Sequence, residues 1–149
     1  MPDFQSNEAT AQLGSGATPL NPTEAAGRVR IGHFQFDSLT VSAADTLTLL
    51  RMPAGMVRVL GVKVRKTAFA TNATLQIGNG AYNNRTTGAV VAASANSILA
   101  STVIDTTATV IGVADVLIDS RGGWNLTGLI GVAGGTTEAL SGWVEYVVD

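Results

Sequence analysis

The chain has 149 residues, of which 46% are hydrophobic and only 13% charged, and its formal net charge is −2 at pH 7. This length and composition predict one domain with a single core, and a surface so poor in charge that much of it faces other protein. The absence of cysteine excludes a disulfide framework, a zinc–thiolate site and a thiol nucleophile.

Residues 1–27 carry no basic and apolar leader, and no later apolar run is long enough for a membrane helix, so we expect neither Sec export nor membrane insertion. Proline and glycine interrupt these residues without sustained periodicity, which indicates an extended arm. The isolated apolar residues Phe4, Leu13 and Leu20 are spaced like anchors for pockets on a partner, although a disordered tail is the simpler interpretation. We therefore predict an arm at 1–27 and one β-sandwich domain at 28–149.

From Val29 onward, short alternating stretches bounded by turn residues predict roughly eight β-strands and no convincing helix. RVRIGHFQF shifts its apolar side partway, as a bulged or doubly covered strand does. TLTLLRM places Leu47 and Leu49 on one face, and the PAG turn at 53–55 predicts a hairpin with the strand that follows.

That following strand, VRVLGVKVRK, carries a run of basic residues. Its apolar residues fall on odd positions up to Val59 and on even positions from Leu60 onward. This change just before Gly61 predicts a β-bulge, where glycine tolerates an unusual backbone. With the flip, Arg58 points outward before the bulge, and Lys63 and Arg65 point outward after it. The basic run is thus the exposed face of a strand.

The charges are divided unevenly: residues 51–100 hold six basic residues and no acid, whereas 101–149 hold six acids and only Arg121 as a base. In a sandwich the two halves interleave, so acidic strands lie beside basic ones. Nucleic-acid binders usually carry a net basic domain with interleaved aromatic residues, and aromatic residues are sparse here. We expect no nucleic-acid binding.

The remaining stretches also favour strands. ATLQIGNG ends in an Asn-Gly turn signal before a polar loop. AVVAASANSILAST favours a strand, although its alanines permit a short helix. TATVIGVADVLIDS is expected to contain one or two strands. NLTGLIGVAGG and LSGWVEYVVD are typical of a closing antiparallel pair. In the last strand one face holds Leu140, Val144, Tyr146 and Val148, and the other holds Trp143, Glu145 and Val147. The whole pattern predicts a sandwich or barrel.

Few residues are suited to catalysis. His33 would need a carboxylate such as Asp37 to orient it, but the two lie about 13 Å apart along an unbulged strand. Asp115 and Asp119 could form a glycosidase pair, and they are equally well charges that guard a strand edge. No metal-binding or phosphate-binding motif is present in the sequence. We expect no enzyme, no cofactor and no metal site.

The stretch ADTLTLLRMPAGMVRVLGVKVRK, followed by ATLQIGNG and ending in GWVEYVV, resembles the small head-decoration or cement proteins of tailed bacteriophages. In that family a strand ends in Leu/Met-Pro-Ala-Gly and continues into Val-x-Val-Leu-Gly. A Thr-Leu-x-Ile/Val-Gly stretch follows, and a Val-Glu-Tyr-Val strand closes the chain. The resemblance covers residues 44–80 and 140–149, and more weakly the GRVR stretch at 27–30.

The resemblance implies a jelly-roll-like β-sandwich that binds the outside of an assembled phage capsid and clamps neighbouring major capsid subunits. It implies a virion structural protein, made in the host cytoplasm, that is a homo-oligomer, with a trimer favoured over a dimer. The capsid-contact candidates are Phe4, Leu13, Leu20, Arg28, Arg30, Lys63 and Arg65. The alternative is a receptor- or glycan-binding β-sandwich module of a phage tail or fibre.

Overall fold

The computed structural model describes residues 28–40, 42–67, 69, 71–104, 108–131 and 138–148, and the regular structure in these ranges is entirely β. The predicted arm at 1–27 therefore lies outside the described residues. The strands are β1 (Arg30–Leu39), β2 (Thr46–Met52), β3 (Gly55–Lys66), β4 (Thr74–Asn79), β5 (Tyr82–Asn83), β6 (Val90–Val91), β7 (Ser94–Val103), β8 (Ala108–Ser120), β9 (Trp124–Ile130) and β10 (Glu138–Val148).

Eight of these strands form two antiparallel four-stranded sheets. Sheet A has the order β1-β10-β3-β8, and sheet B has the order β2-β9-β4-β7. This arrangement is a jelly roll, so the prediction of an all-β sandwich with about eight main strands is confirmed. The short pair β5-β6 is an addition within the connection from β4 to β7.

The two sheets enclose the core because alternate side chains of each strand point between them. In β9, Trp124, Leu126, Gly128 and Ile130 are buried, and the residues that alternate with them are only partly covered. In β10, Leu140 and Val144, which were predicted to share one face, are both buried. Full burial of one such aliphatic side chain contributes about 1.5–3 kcal/mol, so this alternation largely determines which side of each strand faces inward.

The predicted hairpin between β2 and β3 is wrong. β2 pairs with β9 in sheet B, while β3 pairs with β10 and β8 in sheet A. The PAG turn therefore carries the chain from one sheet to the other, with Gly55 at a φ of 104°. The predicted pairing of the last two strands, β9 and β10, fails for the same reason. Alternation indicates which face is buried, but it does not indicate which strand provides the hydrogen bonds.

β1 does not contain the predicted shift within RVRIGHFQF. Its register against β10 is regular from Arg30 to Phe36, and the irregularity comes only between Phe36 and Leu39. Ile31, the residue that suggested a second covered face, is 55% exposed. The inward residues of this strand include Phe34, which is buried, whereas Ile31 remains on the outer surface.

Candidate functional site

The bulge predicted in β3 is present and determines what the outer face of sheet A displays. Val59 lies opposite Tyr146 of β10 and Gly61 opposite Glu145, so Leu60 is the extra residue. The ladder with β8 shifts at the same place. After the bulge, Lys63 becomes an outward residue, as predicted.

The reason for glycine at position 61 differs from the expected one. Gly61 is not among the described residues with positive φ. Instead, a Cβ at this position would lie 2.9 Å from the backbone oxygen of Gly112 in β8. A side chain is therefore excluded by the close approach of the neighbouring strand, not by an unusual backbone conformation.

A row of four side chains crosses the outer face of sheet A. His33 of β1 lies opposite Trp143 of β10, Trp143 lies opposite Lys63 of β3, and Lys63 lies opposite Ile111 of β8. We call these four residues the Trp143 row. One step along the sheet, Arg65 lies between Ser141 and Thr109. The outer face therefore joins an aromatic ring, an aliphatic side chain and two cations.

Contacts within the row hold Trp143 in place. The Lys63 Nζ lies 5.4 Å from the centroid of the Trp143 ring, and the His33 ring centroid lies 6.4 Å away at a tilt of 48°. The indole Nε1 donates a long hydrogen bond of 3.4 Å to Glu145 Oε1. A cation over a ring face at this distance is attracted by the negative face of the π system.

Positive charge remains available on this face. The Arg58 guanidinium binds Asp115 at two points, with Nε–Oδ1 at 2.6 Å and Nη2–Oδ2 at 2.8 Å, and the hydrogen bond lowers the pKa of the Asp115 carboxyl below its ordinary value. Lys63 and Arg65 have no ion pair among the described residues. These two cations can therefore attract an acidic partner without first breaking an ion pair within the protein.

Shallow depressions border the Trp143 row. One is lined by His33, Gln35, Arg65, Ser141 and Trp143, among others. Another lies over the bulge, where Gly61 leaves space between Lys63, Ile111 and Glu145. The outer face of sheet B differs, since it carries mainly hydroxyl and amide groups such as those of Thr48, Gln76 and Thr127. Sheet A is thus the face with features suited to recognition.

The remaining predicted contact residues lie elsewhere. Arg28 and Arg30 are exposed near the start of β1. Arg30 lies opposite Tyr146, on the inward side of the strand, whereas the Trp143 row lies on the outward side. Lys66, the last residue of the basic run, is buried and does not belong to the exposed face. Phe4, Leu13 and Leu20 lie outside the described residues.

Sequence reasoning missed the contribution of Trp143, His33 and Ile111 to this site. Alternation in LSGWVEYVVD did place Trp143 on the face opposite to Leu140 and Val144. What it could not supply was the cross-strand register that puts Trp143 between His33 and Lys63, because partners from distant parts of the chain are set by the topology of the sheet.

The residues considered for catalysis have structural contacts. Asp37 accepts a hydrogen bond from Gln35, and His33 contacts Trp143. Asp115 is held by Arg58. The part of the chain that the structure describes contains no group of three or more His, Asp or Glu side chains that could hold a metal ion, and none of its segments forms a helix able to cross a membrane.

Asp119 fastens the loop between β5 and β6 to the end of β8. Its Oδ1 makes a close ionic contact of 2.7 Å with Arg85 Nε, and its Oδ2 accepts a hydrogen bond of 2.8 Å from Thr86 Oγ1. The backbone oxygen of Asp119 accepts from the Arg85 N–H, and Arg121 N–H donates to Asn83 O. The loop is therefore attached by both side-chain and backbone bonds.

Comparison with known proteins finds similarity in structure alone. No protein-family model matches the chain, and no curated protein matches it. A chain of the capsid asymmetric unit of cyanophage Pam1 is similar over 100% of both chains, with a TM-score of 0.64 and 18% identity. The fold of this chain is thus similar to that of a phage capsid chain.

Two further structures extend this likeness. A chain of the acid-stable capsid of Helicobacter pylori bacteriophage KHP30 matches 80% of this chain and 87% of its own length, with a TM-score of 0.51 and 11% identity. A chain of infectious bursal disease virus strain Gx matches 81% of this chain but only 32% of its own, with a TM-score of 0.52 and 15% identity. At these identities the likeness concerns the fold.

Proposed function

We propose that the protein is a virion structural protein that binds the outside of an assembled phage capsid. It stabilises the capsid by clamping neighbouring subunits of the major capsid protein. The observation that carries this proposal is the match to the cyanophage Pam1 capsid chain over the full length of both chains. The bursal disease virus match supports the proposal less directly, because it covers only about one third of a larger chain.

The outer face of sheet A supplies the first attachment surface. Stable protein interfaces are enriched in aromatic side chains and arginine at their centre, and Trp143 and Arg65 lie close together here beside exposed Ile111. Because Lys63 and Arg65 have no ion pair among the described residues, the complementary patch on the shell should carry carboxylates.

The segment before β1 supplies the second attachment. Arg28 and Arg30 are exposed where this segment joins the sandwich, and residues 1–27 add the apolar anchors Phe4, Leu13 and Leu20. If the arm binds one capsid subunit and sheet A binds its neighbour, the second contact becomes intramolecular once the first has formed. Such bridging is what distinguishes a clamp from a simple surface ligand.

Stabilisation follows from mass action. A protein that binds the assembled shell but not the dissociated subunits lowers the free energy of the shell. The effect grows with the logarithm of the ratio between the free concentration of the protein and its dissociation constant for the shell. Many symmetric copies multiply the effect. A homo-oligomer on a symmetry axis, a trimer in preference to a dimer, would match the local symmetry of an icosahedral shell.

The test uses phage heads and tails that have been purified separately. Mass spectrometry should find the protein in heads, and adding the purified protein to heads that lack it should raise the temperature at which they release DNA. Arg65→Glu should lower its occupancy on heads in a salt-dependent way, whereas Arg121→Glu, the same charge change on the exposed loop between β8 and β9, should not. Detection in tails alone would contradict the proposal and favour receptor or glycan binding.

A further inference from the structure

One strip of the surface carries no charge. Residues 86–104, which include β6 and β7, contain no Asp, Glu, Lys or Arg, and eleven of these nineteen residues are exposed. β7 spans ten residues, so the strip extends for roughly 30 Å. A solvated surface of this length ordinarily contains both acids and bases, even in a chain with as few charges as this one.

Exposed aliphatic side chains mark both ends of this uncharged strip. Val90 of β6 is 74% exposed, and Val103 at the end of β7 is 55% exposed. Around Val90, the neighbours Ala89, Ala92 and Ala93 are also exposed, so consecutive apolar residues face outward. Runs of exposed apolar residues are uncommon on soluble proteins unless they bind something.

β7 is an edge strand of sheet B, and its lack of charge is unusual in that position. Natural edge strands commonly carry lysine, other charges or proline, which discourage association with further chains. The middle of β7 is covered by β8, because a Cβ on Gly112 would lie 3.3 Å from the backbone oxygen of Ile98. What the strip offers to a partner is therefore its outward side chains, not an open row of backbone groups.

The Val90 end of the strip is ordered before any partner arrives. Asp119 holds Arg85 and Thr86, and Asn84 Oδ1 accepts hydrogen bonds from the N–H groups of Thr86 and Thr87. β6 is itself paired with β5. A segment that is already fixed loses little conformational entropy on binding, so even a modest apolar contact can yield net affinity.

We propose that the uncharged strip is the surface through which copies of this chain associate with one another. We place the strip along the symmetry axis of the oligomer, where each of its residues meets its own copies, so a charge on the strip would face its own like charge. A strip without charge avoids this repulsion, whereas a partner of different sequence would be selected better by complementary charges. The occupant is therefore a second copy.

This inference specifies the oligomer contact of the proposed function, but it is tested apart from capsid binding. Sedimentation equilibrium of the wild-type protein should give a small integer multiple of 15.2 kDa. Val103→Asp should lower that mass to the monomer value. The control is Val29→Asp, since Val29 is 56% exposed and lies outside the strip. It should leave the oligomer intact.

A second measurement covers the event that Val103→Asp fails to fold. The chain has no cysteine, so a single Val90→Cys substitution allows cross-linking by a short bis-maleimide. Covalent oligomers should form with this variant and not with Thr48→Cys in β2, at the opposite edge of sheet B from β7. A monomeric wild-type protein, or a Val103→Asp protein of unchanged mass, would overturn the inference. An intact oligomer that does not bind heads would count instead against the proposed function.

Discussion

Lys63 and Trp143 lie directly opposite each other in the β3–β10 ladder, with the lysine Nζ 5.4 Å from the centroid of the indole ring. The two residues come from parts of the chain 80 positions apart in sequence. An exposed cation–π contact contributes about 0.5–1 kcal/mol, which is modest for folding. Its larger effect is to fix a long, flexible lysine and a ring in one arrangement before a partner binds.

Replacing Trp143 by alanine should weaken head attachment far more than folding. Trp143 is only half-buried on the outer face, so we expect the melting temperature to change by only a few degrees. Loss of a central aromatic contact should reduce affinity for heads at least about tenfold. Occupancy on heads, measured by quantitative gel or mass spectrometry, checks this. Thr48→Ala on the outer face of sheet B serves as the control, and equal binding by both variants would refute the role of the Trp143 row.

Gly61→Val should destabilise the fold by about 1–3 kcal/mol, because the new side chain would overlap the Gly112 carbonyl oxygen that lies 2.9 Å from a Cβ at this position. Gly122→Val is the matched control, since nothing lies within 4 Å of a Cβ there and its φ is not positive. Chemical denaturation of both variants measures the effect. Equal stability would contradict the described approach of β3 and β8.

The ion pair of Arg58 and Asp115 should make a small, pH-dependent contribution to stability. The pKa of Asp115 is lowered in the folded protein. The contribution is therefore present above the ordinary carboxyl pKa of about 3.9 and is lost as the pH falls through the folded-state pKa. Thermal melts of wild type and Asp115→Asn should differ slightly near neutral pH and converge as the pH falls below the ordinary carboxyl pKa. A difference that is constant over this range would show that the ion pair is not the cause.

Asp119→Asn should loosen the loop between β5 and β6. The substitution removes the negative charge that contacts Arg85 and weakens the acceptor for Thr86. Bonds to charged groups contribute about 1.5–3 kcal/mol, so we expect a loss of about 2 kcal/mol together with faster exchange of the Thr86 and Thr87 amide hydrogens. Hydrogen exchange read by mass spectrometry provides the measurement. Asp115→Asn, whose carboxylate is exposed on the same strand, should leave this exchange unchanged.

Deleting residues 2–27 should leave the sandwich folded and reduce attachment to heads. The predicted arm contains Phe4, Leu13 and Leu20, and a fully extended chain of this length spans roughly 80–90 Å, enough to reach a neighbouring subunit. Melting temperature and head occupancy of the truncated protein check the two parts of the prediction. Undiminished occupancy would show that sheet A alone is sufficient, and a failure to fold would place the domain boundary elsewhere.

Local patterns predicted the faces of the strands well. The change of inward positions beside Gly61 located the bulge in β3, and alternation placed Leu47 and Leu49 on one face, which is buried. These successes share a cause, since the spacing of apolar residues within a strand indicates which of its sides is buried. Lys66 breaks the rule: it lies at an inward position at the end of β3 and is buried despite its charge.

Pairing between strands could not be predicted in the same way. β2 and β3 have an adequate turn between them and compatible alternation, yet they lie in different sheets. The same limit explains why Lys63 and Arg65 were expected at the site whereas Trp143 and His33 were not. Membership of one outer face depends on register between distant segments, which the hydrophobic pattern of a single segment does not encode.

The position of β10 has a consequence for biosynthesis. Among the described strands, this one comes last in sheet A in chain order, yet it lies between β1 and β3 and is the partner of β1 in the sheet. On the ribosome, β1 therefore emerges first among the strands and stays without its ladder until residues 138–148 have been made. Strand pairing over such separations folds slowly, on millisecond to second timescales. A chain that ends before residue 138 leaves β1 without that partner, so sheet A is completed only after β10 has been made.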